Sequence, residues 1–203
     1  GTRRSIGMEM TERALVKIAG MCGILGPIIA FGSIATSILL HPWFSWADNA
    51  LSDLGAIGTS YNMVFNFGLI ACGIMGLVFA SALPRLVGRK LGLAGVAIFG
   101  AGMLSLILIG VFPEGTSPHM TVSVAFYALC TLGLLVLGID QLRERSERAW
   151  GVFILSILGL ALGAVMLCAT IPYNLRAAIP ETIGAMAISD FSVVFGARLL
   201  GLF

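Results

Sequence analysis

LGLAGVAIFGAGMLSLILIGV, residues 91–111, holds no charged side chain. At a helical rise of 1.5 Å per residue, about 20 residues cross a hydrocarbon core about 30 Å thick, so this stretch has the length of a membrane span. Working outward, the same kind of run recurs on both sides. Apolar segments cover about 14–40 and 61–83 before it, and about 121–139, 151–170 and 182–200 after it. Only 11% of the 203 residues are charged and the mean hydropathy is +1.01, whereas a soluble domain carries roughly 25% charged residues. The expected fold is all-α: one domain over residues 1–203, an integral membrane bundle of six transmembrane helices. The polar stretch Gly1–Glu12 reads as a frayed end, and the run after it is too long for a signal-peptide core. A net charge of +2 carries no signature of nucleic acid as a partner.

With six spans, Arg3, Arg4, Arg13, Lys17, Arg85, Arg89, Lys90, Arg143, Arg145, Arg148 and Arg198 fall on one side and Arg176 alone on the other. The positive-inside rule makes the first side cytoplasmic, so both termini are expected inside. Cys22, Cys72, Cys130 and Cys168 each sit within an apolar run and form no CxxC pair, which reads as small hydrophobes rather than a zinc or disulfide framework. Gly159 and Gly163 have the GxxxG spacing that suits tight helix contact. No dinucleotide, P-loop, zinc-protease or nucleophile-elbow motif is present.

The densest polar chemistry lies in HPWFSWADNALSDLGAIGTSYNMVFN, residues 41–66, between the first two spans. Together with the two other loops on that side it gathers His41, Asp48, Asp53, Glu114, His119, Tyr173, Arg176 and Glu181. Both histidines of the chain are therefore expected at one membrane face, beside four of its ten acidic residues. Imidazole plus carboxylate is a ligand set that divalent metals favour, with His41, His119 and Asp48 as candidate ligands. The same set serves general acid–base catalysis, with His41, His119, Asp53 and Glu114 as the candidates. Asn66, Tyr173, Arg176, Glu181 and Asp190 are the candidate substrate contacts. Asp190 stands out because a carboxylate well inside a span costs a few kcal/mol unless paired or protonated.

Structural readings stand beside these. Trp43, Phe44 and Trp46 fit an interfacial aromatic belt. Ser45 and Asp48 have capping-box spacing, so loop 41–60 is expected to hold a short interfacial helix. Glu114 in PEGTSP suits a turn, and His119 is placed to cap the fourth helix.

The runs NALSDLGAIGTSYNMVFNFGLIACGIMGL and GVFPEGTSPHMTVSVAFYAL resemble the archaeal and bacterial membrane family catalogued as domain of unknown function 998. The resemblance is carried by Ser52–Ala56, Asn66 and the loop Phe112–His119. It implies a polytopic protein of a prokaryotic cell membrane and brings no activity with it; His41 and Asp190 lie outside the matched motifs. Three function classes remain open. One is a metal-assisted hydrolase or transferase acting on a lipid or other amphiphile. Another is a transporter or channel for a small solute or ion using Asp190. The third is a non-catalytic lipid-binding or accessory subunit. Membrane lipids are the expected partners, with a homo-oligomer or a larger membrane complex as the expected assemblies.

Overall fold

Six helices carry the apolar runs: α1 Thr2–Leu40, α2 Asn62–Ala82, α3 Lys90–Val111, α4 His119–Arg143, α5 Arg148–Thr170 and α6 Ala178–Leu199. The computed structural model describes residues 2–170 and 178–203, and the side chains within 10–169 and 178–203. All six helices are long and apolar enough to cross a membrane. Each packs on its successor and α6 closes back on α1, so the helices form a ring in chain order. One end of the ring carries Arg85, Arg89, Arg143 and Arg198 and is called here the arginine end. The other carries loops 41–61 and 112–118 and is called the histidine end.

Some helices run further than the apolar runs alone predict. α1 begins at Thr2, so the polar leader is helical rather than frayed. α4 continues through Asp140 to Arg143, because its buried stripe does. Cys130, Leu134, Leu137 and Gln141 are all buried, at the i, i+4, i+7, i+11 positions of one helix face. α6 starts at Ala178, which moves Glu181 from a loop into its first turn. The interfacial helix expected in loop 41–60 is instead a one-turn 3-10 segment, Leu51–Gly55.

Packing differs along the ring axis. Towards the arginine end, Phe79, Phe99 and Phe191 are fully buried and meet edge to face at centroid distances of 6.2, 6.0 and 5.4 Å. Such pairs add about 0.5–1.5 kcal/mol each beyond burial. Phe191 continues the series to Phe195 at 4.6 Å and Phe195 to Trp150 at 5.6 Å. The Arg198 guanidinium lies 4.8 Å above Trp150 and pairs with Glu147. At this level α1 and α6 touch through backbone: a Cβ on Gly20 would lie 2.8 Å from the Gly196 carbonyl oxygen. Gly159 and Gly163 make no such contact. A Cβ on either would meet open space, so among the described residues they lack the close packing expected of them.

Candidate functional site

At the histidine end the loops are tied to one another by side chains. Asp53 accepts hydrogen bonds from the Ala50 amide and from Asn49 Nδ2, both at 3.0 Å, and so caps the start of the 3-10 segment. Glu181 of α6 accepts from the Leu51 amide at 2.7 Å, bridging 130 residues of sequence. Asn66 of α2 is buried and donates to the Gly55 carbonyl at 3.0 Å. Gly55 admits this approach because a Cβ there would run into Asn66 Oδ1 and lie 2.7 Å from the Phe65 ring. The 3-10 segment is thus clamped from α2 and from α6. Loop 112–118 joins it through the Ile57 amide, which donates to the Glu114 carbonyl at 2.9 Å.

Both histidines are buried, and each faces two acceptors. His41 has Nδ1 at 2.6 Å from the Ser37 carbonyl and Nε2 at 2.5 Å from the Ser60 carbonyl. The ring thus bridges the last turn of α1 and the residue two before α2. His119 has Nδ1 at 2.9 Å from the Phe112 carbonyl and Nε2 at 2.8 Å from Glu114 Oε2. The Ser123 hydroxyl shares that Nε2 at 3.3 Å. In a nucleophile–base pair, the carboxylate orients the base through the other ring nitrogen. Here Glu114 occupies the nitrogen that would accept the serine proton, so the trio reads as a latch between loop 112–118 and α4.

Of the sequence-derived candidates, His119 and Glu114 are joined directly, and Glu181 lies within Coulombic reach of Asp53, Glu114 and His119. The hydrogen bonds of His41 go to backbone carbonyls, and Asp48 accepts from the Ser45 hydroxyl at 2.8 Å. Among the described residues no group of three or more His, Cys, Asp or Glu is placed to hold a metal ion. The divalent metal expected of His41, His119 and Asp48 finds no ligand set there. Asn66 serves the loop clamp. Asp190 is exposed on the outside of α6, while its neighbours Ser189 and Ser192 face inward to a cavity. Tyr173 and Arg176 lie outside the described residues.

That cavity is what sequence reading did not anticipate. A hollow of about 100 Å³ lies inside the ring in its histidine half, walled by α1, α2, α3, α4 and α6. Its roof is Leu51 and Ser52 of the 3-10 segment, and its floor is Phe79 with Gly23 and Ser192. Small residues make it: Gly26 and Ala30 on α1 and Ala185 on α6 stand where larger side chains would fill the space. Apolar side chains such as Phe65, Leu69, Met103 and Ile188 form most of the wall. The polar groups at the roof end are Ser52, Ser123, Tyr127 and the single carboxylate Glu181. Tyr127 donates to the Glu181 backbone carbonyl at 3.1 Å. Beyond these two residues a second, more open cleft of about 290 Å³ lies between α4, α5 and α6, so Glu181 and Tyr127 stand between two hollows.

At the arginine end Asp140, one residue past the fourth apolar run, is fully buried within α4, with neither carboxylate oxygen hydrogen-bonded among the described residues. It packs against Gly92 in the first turn of α3, where the positive end of that helix dipole favours a carboxylate.

The family model described as a protein of unknown function, DUF998, matches residues 24–198. No curated protein and no solved structure matches the chain.

Proposed function

The chain belongs to the DUF998 family of proteins of unknown function, and we propose that it binds a membrane amphiphile, with an apolar group in the histidine-half cavity and the head group at Glu181. The observation that carries this reading is the cavity itself: apolar walls, a closed aromatic floor and one carboxylate at the roof. An engineered apolar cavity of about 150 Å³ stays dry and takes up benzene, so a hollow of about 100 Å³ suits a short alkyl or branched hydrocarbon group. Ligand sites are concave and mostly apolar with a few convergent polar groups, and this one meets that description. Glu181 and the Ser52, Ser123 and Tyr127 hydroxyls favour a head group that donates hydrogen bonds, an alcohol or an amine. Both histidine nitrogens being taken favours binding over acid–base catalysis.

Under the same proposal the histidine end faces outside the cell, because the described lysines and arginines all gather at the opposite end. Loop 41–61 then lies where lipid head groups meet water. An accessory or carrier role for a lipid follows more directly than transport of an ion, since the buried rings of Phe79, Phe99 and Phe191 lie below the cavity.

The experiment is a titration of the purified protein in maltoside micelles with radiolabelled 1-octanol, by equilibrium dialysis. Saturable uptake near one equivalent is expected. Ala185→Phe, which places a ring in the hollow, removes the saturable part, and Ala185→Ser keeps it. Uptake that is non-saturable and equal in all three proteins would defeat the proposal.

A further inference from the structure

Helix α1 outruns its neighbour α6 at the arginine end. Its Gly20 and Gly23 lie against α6: a Cβ on Gly20 would sit 2.8 Å from the Gly196 carbonyl oxygen, and one on Gly23 2.8 Å from that of Ser192. At steps of three and four residues the same stripe continues back through Lys17, Val16 and Arg13. There α6 has ended, at Leu199, and the chain turns at Gly201 with φ +72°. Left without a helix to pack on, Arg13, Val16 and Lys17 line a groove of about 420 Å³ together with Leu199, Leu200 and Arg85 of the link between α2 and α3. The one carboxylate on the groove, Glu12, is paired with Arg85 at 2.8 Å. Arg13 and Lys17 are exposed and form no ion pair among the described residues, so the groove is net positive. Elsewhere at this end Arg89 and Arg198 are neutralised by Glu144 and Glu147. Depth matters as well. With Leu40 at one edge of a hydrocarbon core about 30 Å thick, Lys17, about 35 Å away along α1 by helical rise, reaches the opposite head-group layer.

We propose that this groove binds an acidic phospholipid, its phosphate against Arg13 and Lys17 and the first carbons of its chains on Val16, Leu199 and Leu200. The sidedness of a membrane protein asks only for cations at one end, in any arrangement. Cations from two distant parts of the chain set around one groove with an apolar wall suit an anion joined to hydrocarbon. That wall selects a lipid over free phosphate. A guanidinium forks onto phosphate oxygens through two N–H groups, and a lysine adds a point charge. Basic pockets between membrane helices are sites for acidic head groups. The inference is independent of the cavity, which lies in the other half of the ring.

The test titrates the full chain in maltoside micelles with dioleoylphosphatidylglycerol or dioleoylphosphatidylcholine and counts bound lipid by native mass spectrometry. The first phosphatidylglycerol is expected to bind about tenfold tighter than the first phosphatidylcholine. Arg13→Gln and Lys17→Gln should each weaken it about fivefold, the equivalent of about 1 kcal/mol for one basic residue at an acidic surface. Glu12→Gln, which releases Arg85, should tighten it. All three side chains are exposed, so these changes leave the packed ring alone. Arg145→Gln, in the link between α4 and α5 and outside the groove, should leave binding unchanged, and excess inorganic phosphate should not compete. Equal affinity for the two lipids would overturn the proposal. So would a loss with Arg145→Gln as large as with Arg13→Gln, which would reduce the effect to overall charge, or displacement by inorganic phosphate, which would make the occupant a free anion.

Discussion

The two halves of the ring are built from the same six helices and solve opposite problems. In the arginine half, Phe79, Phe99 and Phe191 fill the axis and α1 meets α6 backbone to backbone at Gly20 and Gly196. In the histidine half the same α1 and α6 carry Ala30 and Ala185, the axis is hollow, and loops close the top. In the first half side-chain volume holds the helices together. In the second the hold comes from single hydrogen bonds between loops and helices: Glu181 with Leu51, Asn66 with Gly55, Glu114 with Ile57. The filled half is where packing energy is concentrated, and the hollow half is where the proposed ligand site lies.

The comparison breaks most visibly where volume is removed from the filled half. Phe99→Ala should cost about 3–5 kcal/mol, as large-to-small changes of buried aromatics do, read by denaturant unfolding in micelles. A loss under about 1 kcal/mol would mean that the aromatic axis is not the structural half. Next comes the roof. Glu181→Ala leaves the Leu51 amide without its acceptor and should cost about 1–3 kcal/mol, and hydrogen exchange at Leu51 should speed up while the amides around Phe99 keep their protection. Exchange that rises equally in both places would erase the distinction between the halves. Ala185→Phe should shift stability by less than about 1 kcal/mol, because the added ring enters existing space instead of overpacking a full core; a loss of several kcal/mol would mean the hollow is not there. The smallest effect is expected at the exposed pair Arg85–Glu12, 2.8 Å apart at the arginine end. Arg85→Ala should change stability by no more than about 1 kcal/mol, as solvent-exposed ion pairs do.

The spans were legible in the sequence because bilayer thickness imposes a run length, and six runs met it. Less legible was everything that depends on facing. Asp190 could be placed at depth from its position in the run, yet only packing tells that Ser189 and Ser192 turn inward while the carboxylate turns outward. Asp140 was hidden by the charged residues that follow it, although the stripe from Cys130 through Gln141 already pointed at the interior. His119 and Glu114 are five residues apart across a turn, and their pairing is the kind of contact a loop sequence suggests. Glu181 meeting Leu51 spans 130 residues, and no local pattern reports it. The cavity is an absence of side-chain volume shared by five helices, and glycine and alanine are too frequent in spans to mark one.

The central claim, that the histidine half holds an apolar ligand group, is tested most directly by photolabelling. An octyl alcohol bearing a terminal diazirine would be equilibrated with the purified protein, irradiated, and its adducts mapped by mass spectrometry. The account predicts adducts on cavity residues such as Leu69, Met103 and Ile188, competed away by unlabelled 1-octanol and absent from the Ala185→Phe variant. Adducts confined to bilayer-facing side chains such as Leu160 and Met166, unaffected by competitor, would contradict it.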